Sequence, residues 1–207
     1  MENPANEFKR DLITAYNRQA AERNASSRQD WKVSERDAFL ASIRSSGLTR
    51  LLEIGAGPGH DSLFFQENGL DVTSVDLSPN MVDLCKTKGL RAEVMDFSHL
   101  SFPDDSFDAV WALNCLLHVR KAELPEVLTE LRRVLRPGGL FYMGVYGGQN
   151  SEGVWDDDTY EPKRFFSFFE MDTLKGILSE HFAVQDAHAL PHSSDLMFLS
   201  FTLQVQS

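Results

Sequence analysis

Cysteine is scarce: Cys85 and Cys115 are the only two in 207 residues. They form no CxxC pair and no metal-type spacing with histidine. A disulfide framework and a zinc site are therefore not expected, and both read as small apolar side chains in a reducing compartment. The six histidines (60, 99, 118, 181, 188 and 192) are scattered and include no HExxH, so no metal is expected. No apolar run approaches the ~20 residues of a membrane-spanning helix. The first residues, "MENPANEFKRDL", lack a basic-then-apolar pattern, so the expected setting is cytoplasmic. Positive charge is also short. Lysine and arginine total 20 against 31 aspartate and glutamate, a net charge of −11 that repels phosphate backbones and argues against a nucleic-acid partner. The densest basic stretch, "LRRVLR" from Leu131, has its leucines and valine at helical spacing and reads as a solvated helix face.

What is present is a chain with 42% hydrophobic residues, enough for one domain with a sizeable core. Residues 1–47 read as helices. "NEFKRDLITAYNRQAAER" places Phe8, Leu12, Ile13 and Tyr16 on one stripe, and "SERDAFLASIRSSG" starts at a Ser34 N-cap and stops at Gly47. Residues 48–148 alternate strand and helix: "RLLEI", "DVTSVDL", "LRAEVM", "FDAVWAL" and "LFYMGVY" are strands, with a helix from about Lys121 to Leu135. Strict alternation predicts an α/β fold with a doubly wound, mostly parallel sheet. In residues 149–207 the alternation breaks. "GQNSEGVWDDDTYEPK" reads as a polar loop and "EMDTLKGILSE" as a helix. "FAVQDAHAL" and "LMFLSFTLQV" are joined by "PHSSD", too short for a crossover, so they predict a terminal antiparallel hairpin and seven strands in all.

The first strand runs into "EIGAGPGH", with glycines at 55, 57 and 59. A P-loop would need GxxxxGK[ST], which is absent. A dinucleotide turn, GxGxxG, would need glycine where His60 stands, which weakens a nicotinamide-dependent oxidoreductase. Asp76 ends the second strand, 23 residues after Glu53, where a carboxylate bonds vicinal ribose hydroxyls. Asp96, after the third strand, can accept from the exocyclic amine of adenine, and Phe97 can offer a ring face or backbone N–H.

Taken together, Glu53–Gly59, Asp76, Asp96–Phe97, "LSFPDDSFDAV", "NCLLHV" and "ELRRVLRPGGLFYM" resemble, in order and spacing, the class I Rossmann-like S-adenosylmethionine-dependent methyltransferases, most closely the ubiquinone/menaquinone-type small-molecule branch. The resemblance covers roughly residues 51–146. It implies S-adenosylmethionine as cofactor, N-terminal helices that cap its pocket, and methyl transfer to an O, N or C atom of a small molecule. It implies a cofactor-binding set of Tyr16, Glu53, Gly55, Ala56, Gly57, Gly59, Asp76, Leu77, Met81, Asp96, Phe97 and Asn114. "AYNRQA" resembles the family's "xYdxxA" element, so Tyr16 is expected to close over the methionine end and exclude water. His118 is the candidate base, with shielding of the cofactor or a structural role as its alternatives. Tyr146, Arg164 and His192, with His118, are candidate substrate contacts, Arg164 as a partner for a carboxylate. The run Asp156–Asp158 reads as solvated surface. A non-catalytic S-adenosylmethionine or S-adenosylhomocysteine module and a tRNA methyltransferase are the alternatives, and the oligomeric state is left open.

Overall fold

The computed structural model describes residues 4–193 and 196–206, with side chains from residue 7 onward. Two helices come first, α1 (Pro4–Ala25) and α2 (Asp30–Ser45). The alternating segment follows as β1 (Arg50–Ile54), α3 (His60–Glu67), β2 (Asp71–Asp76), α4 (Pro79–Thr87), β3 (Arg91–Val94), β4 (Phe107–Leu113), α5 (Leu124–Val134) and β5 (Leu135–Gly147). After it come β6 (Ser151–Val154), β7 (Phe165–Phe168), α6 (Met171–Ser179), β8 (Ala183–Pro191) and β9 (Met197–Gln204). Among the described residues no helix is long and apolar enough to cross a membrane.

Seven strands form one sheet in the order β3-β2-β1-β4-β5-β9-β8, as expected from the alternation. The first five are parallel, and β9 enters antiparallel between β5 and β8. Side chains alternate between two cores, as the strand period of two demands. Leu51, Ala109, Trp111, Leu140 and Tyr142 face α2 and α3, where the Trp111 and Tyr142 rings stack at 4.0 Å. Leu52, Ile54, Val110, Phe141 and Met143 face the other way, with the buried leucines of α5.

Three expectations change. Helix α2 starts at Asp30, four residues before Ser34, whose Oγ donates instead to the Asp30 carbonyl one turn back. Helix α5 starts at Leu124, and the chain is already strand at Leu135. The "polar loop" contains β6, which pairs antiparallel with β7 in a separate two-stranded sheet. Its strand character is hidden by Ser151, Glu152 and Gly153, which lack the apolar alternation of a strand with one buried face.

Helix α2 is tied to the far edge of the sheet through Glu35. This buried carboxylate accepts from Tyr142 Oη at 2.9 Å and Ser200 Oγ at 2.5 Å, and meets His188 Nε2 at 2.9 Å. His188 Nδ1 lies 2.8 Å from Asp186. Partial burial opposes the charge on His188, but Glu35 and Asp186 outweigh it and raise its pKa. A pKa raised on folding means this contribution is complete below the unfolded value of ~6.5 and fades as pH rises through the folded value. Thermal melts across that range should show the wild type losing stability toward alkaline pH relative to His188→Asn. Parallel pH curves would rule the clamp out.

Candidate functional site

A cavity of about 410 Å³ opens at the carboxyl ends of β1, β2 and β4, where the strand order reverses and open α/β sheets hold their ligands. Helix α1 forms its outer wall. The stripe legible in the sequence, Phe8, Leu12, Ile13 and Tyr16, is the face turned to the cavity. Helix α1 is held down by polar contacts. Lys9 Nζ donates to Asp96 Oδ2 at 2.7 Å, Asn17 Oδ1 accepts from Ser78 Oγ at 2.6 Å, and Tyr16 Oη lies 2.7 Å from His118 Nε2. Helix α2 differs from the expected second cap: its buried residues, such as Phe39 and Ile43, pack against the sheet.

The floor is the glycine turn. Gly55 has φ +61°, and a Cβ there would lie 2.3 Å from Cys115 Cβ, so the turn and the segment after β4 touch backbone to side chain. Gly57 has φ +55° and the opposite surroundings: nothing lies nearer to a Cβ than Arg23 Nη2, at 4.0 Å. The space above Gly57 is open cavity, a cradle that a side chain would fill. Asp76 sits at the end of β2, its two oxygens accepting from the backbone N–H groups of Gly57 and Ser78, each at 2.8 Å. Burial raises its pKa, with those N–H groups and Arg23 pulling the other way. Two bonds leave the carboxylate further acceptor capacity toward the cavity it lines.

Asp96 and Phe97 line one end. Burial pushes the Asp96 pKa up, but Lys9 and Ser98 more than offset this, and it stays below the usual range. Asn114 lines the other end. It ends β4 in a left-handed turn (φ +55°), which asparagine tolerates, and its N–H donates to the Gly144 carbonyl at 2.7 Å. Its Oδ1 is buried and has no hydrogen-bond partner.

Of the residues named from sequence, Tyr16, Gly55, Gly57, Asp76, Leu77, Asp96, Phe97, Asn114 and His118 line this one cavity. Others do not. Glu53 shares the face of Leu51, beneath α3, where it is buried, accepts from Ser62 Oγ and has its pKa raised by burial and by Asp61. Ala56 and Met81 are core residues. Gly59 caps α3, and a Cβ there would strike Cys85 Sγ and Leu90, both at 2.7 Å, so it serves helix packing. Tyr146 and His192 lie beyond Asn114, their rings 4.3 Å apart.

Arg164 is not free for a substrate carboxylate. Its Nε and Nη2 reach the two oxygens of Asp158 at 2.9 and 2.7 Å. Asp158, the last of the three aspartates, is buried and not solvated as its sequence run suggested. The pair presents Arg164 Nη1 to Tyr16 Oη at 3.0 Å. His118 Nδ1 lies 2.7 Å from the Phe165 carbonyl, which can only accept. Nδ1 therefore carries the proton, and Nε2 accepts from the Tyr16 hydroxyl. Burial pushes the His118 pKa down to about 3. His118 is thus a neutral acceptor that anchors α1, with both nitrogens occupied, and not a free base.

Lys9 and Arg23 are among the cavity residues that escaped the sequence reading. Lys9 reaches Asp96, just after β3, only because α1 folds over the cavity. Arg23 sits at the end of α1, its guanidinium 5.3 Å over the Tyr16 ring, with Nη1 donating to Tyr160 Oη at 3.2 Å. Its Nε is buried and unpartnered, and among the described residues no carboxylate comes within ion-pair distance of it. No local motif marks an arginine for such a place.

Comparison with known proteins agrees with this geometry. Residues 52–143 match the family model described as a methyltransferase domain. The chain is 32% identical over 124 residues to 27-O-demethylrifamycin SV methyltransferase of Amycolatopsis mediterranei, covering 56% of this chain and 44% of that protein. It is 32% identical over 106 residues to demethylmenaquinone methyltransferase of Tropheryma whipplei, covering 48% and 44%. It thus spans under half the length of either. The fold matches the crystal structure of Burkholderia thailandensis 1,6-didemethyltoxoflavin-N1-methyltransferase, with bound 1,6-didemethyltoxoflavin and S-adenosylhomocysteine, at a TM-score of 0.75 and 22% identity, covering 100% of this chain and 92% of that one. Residues 52–143 thus match a methyltransferase-domain model, and the overall fold is the one seen in that Burkholderia thailandensis structure.

Proposed function

We propose that this chain transfers the methyl group of S-adenosylmethionine to an O, N or C atom of a small molecule. The observation that carries this is the polar inventory of the cavity, which pairs with that cofactor group by group. Asp76 offers acceptors for two ribose hydroxyls, and Asp96 with Phe97 an adenine edge and face. The orphaned Asn114 Oδ1 suits the amino group of the methionine end, and the unpaired Arg23 suits its carboxylate. The open space over Gly57 admits the chain between them. When bound, the cofactor supplies a methyl carbon already activated by a sulfonium. The protein's own task is then alignment and exclusion of water, an effect that reaches ~7–11 kcal/mol in well-oriented systems. Tyr16, anchored by His118 and Arg164, closes the wall and keeps water out.

The quinone-type branch is the finer reading, supported by the likeness to demethylmenaquinone methyltransferase. A cytoplasmic setting is supported by the two free, buried thiols.

Thermal unfolding tests the assignment. S-adenosylhomocysteine at ~100 times its dissociation constant adds ~2.7 kcal/mol of stability. For a domain of this size that is a rise of roughly 5–10 °C, at ~2–4 °C per kcal/mol. NAD and NADP should give none. Arg23→Gln should weaken S-adenosylhomocysteine by ~10–100-fold, the worth of a charged hydrogen bond. It should leave 5′-methylthioadenosine, which lacks the amino-acid end, unchanged. Equal losses for both ligands would remove Arg23 from the carboxylate.

A further inference from the structure

An in-line displacement needs the acceptor opposite the sulfonium while the cofactor is in place, so two ligands share the site at once. The cavity opens at one end. Of the described residues that line it, the exposed ones are His99, Glu126 and Thr129. They stand together just past Asp96, where the Leu100 N–H donates to Glu130 Oε1 of α5 at 2.8 Å. On the proposed function the nucleoside fills that end. At the other end Cys115 and His118 are buried, and Tyr16, Arg23 and Asn114 are half-buried. The acceptor therefore needs a way in through a wall that is shut in this structure.

The walls differ in what stands behind them. Behind Asn114 is Tyr146 of β5, whose ring meets those of Trp31 of α2 and Phe198 of β9. Behind His118 is Phe166 of β7, the two rings 4.7 Å apart. These backings are side chains of helices and strands. Behind Tyr16 and Arg23 is the segment 155–164, which joins β6 to β7 and contains neither helix nor strand. Its Tyr160 ring stands edge-on to that of Tyr16 at 5.9 Å, and its Oη accepts from Arg23 Nη1 at 3.2 Å. Arg164 lies 3.6 Å over the Tyr160 ring. One residue on, the Glu161 carbonyl accepts from Arg18 Nη1 at 2.9 Å.

The segment is braced within itself and lightly held to α1. Asp158 is paired with Arg164, and its N–H donates to the Trp155 carbonyl at 3.1 Å. Trp155 packs on Phe166 and Phe168 at the base. From 156 to 164 no side chain joins an apolar cluster among the described residues. A segment with few buried apolar contacts opens at low cost, and internal bracing lets it open as a unit. Helix α1 keeps its own ties to the core, Asn17 with Ser78 and Asn24 with Lys88, each at 2.6 Å. The segment can therefore move off without it.

We propose that the segment 156–164 is the acceptor's door, with Tyr160 as its leaf. It swings off Tyr16 and Arg23 and opens the methyl end of the cavity while the cofactor stays bound. This rests on the methyltransferase reading above. The cofactor passes by the mouth at His99 and the acceptor by the gap at Tyr160, so the two ligands come and go by separate openings.

The two native thiols make the test. Cys115 lines the methyl end and reports entry there, and Cys85, 0% exposed in the core, reports unfolding. The full chain is treated with methyl methanethiolsulfonate at rising concentrations of S-adenosylhomocysteine, and mass spectrometry follows each thiol. The Cys115 rate should fall as S-adenosylhomocysteine fills the mouth and then level off, because the remaining path does not use the mouth. Tyr160→Ala should raise that plateau about tenfold, the worth of a ring contact and a hydrogen bond. Tyr160→Phe keeps the ring and should stay within about threefold of wild type. Arg18→Ala, an exposed change that cuts the tie to Glu161, should raise the plateau about threefold. Cys85 labelling should not move. A Cys115 rate that keeps falling in proportion to added S-adenosylhomocysteine overturns the proposal, because the thiol is then reached only through an empty site. A plateau that neither Tyr160→Ala nor Arg18→Ala raises, one that rises only together with Cys85, or a Tyr160→Phe variant equal to Tyr160→Ala also overturns it. Wild-type protein that shows no binding of S-adenosylhomocysteine by calorimetry takes the methyltransferase reading down, so the two failures are distinguishable.

Discussion

Gly55→Ala is expected to be among the most damaging single-methyl changes in the chain. The residue sits at φ +61°, where an L side chain is disfavoured by ~1–2 kcal/mol. Its new Cβ would lie 2.3 Å from Cys115 Cβ and 3.1 Å from Cys115 Sγ. Overpacking of a tight core site adds ~1–3 kcal/mol. The sum, on the order of 3 kcal/mol, is read by urea denaturation. Strain that is relieved by moving Cys115 also moves Asn114 beside it, so cofactor affinity falls as well as stability. Second-site changes identify the cause. Cys115→Ala keeps the Cβ and should rescue nothing, whereas Cys115→Gly removes it and should recover a large part of the loss. Equal behaviour of the two double variants would refute the clash.

Asp158→Ala should have the next largest effect. Asp158 is 1% exposed in its side chain and Arg164 12%, and they share two hydrogen bonds. Deleting the carboxylate leaves a guanidinium largely out of water, and breaking buried pairs in this way costs ~3–5 kcal/mol. Thermal melting should fall by roughly 6–20 °C, at ~2–4 °C per kcal/mol. Arg164→Met in the same chain should give part of that back, because the stranded charge goes with it. A double variant no better than Asp158→Ala alone would show that the pair's role is not charge compensation. The pH dependence has a fixed sign. Burial raises the Asp158 pKa, but Arg164 and backbone N–H groups outweigh it and hold the folded value low. The stabilisation is therefore present above the unfolded value of ~3.9 and lost as pH falls through the folded one. Acid melts of wild type and Asp158→Ala should converge.

The strands of the parallel sheet were legible because each is a short apolar run punctuated by glycine, proline or aspartate. β1 and β4 fall at the bounds their residues suggest. The short "PHSSD" link was enough to make β8 and β9 antiparallel. The cavity was legible where a polar side chain stands just past a strand end, as at Asp76, Asp96 and Asn114. It was not legible where chemistry depends on what a distant segment brings. The Asp156–Asp158 run has the look of solvated surface because composition carries no record of Arg164 folding back onto its last member. Glu53 belongs to the same motif as Gly55 and Gly57, yet strand alternation turns its side chain to the face beneath α3. Arg23 resembles any helical cation until the absence of a carboxylate at ion-pair distance becomes a matter of three dimensions.

Helix α1 supplies the outer wall of the cavity and is also fastened by the residues a ligand would meet. Lys9 rests on Asp96 and Tyr16 on His118. On the proposed function, an adenine amine at Asp96 would compete with the Lys9 ammonium for one carboxylate, so filling the cavity and holding down α1 would draw on the same group.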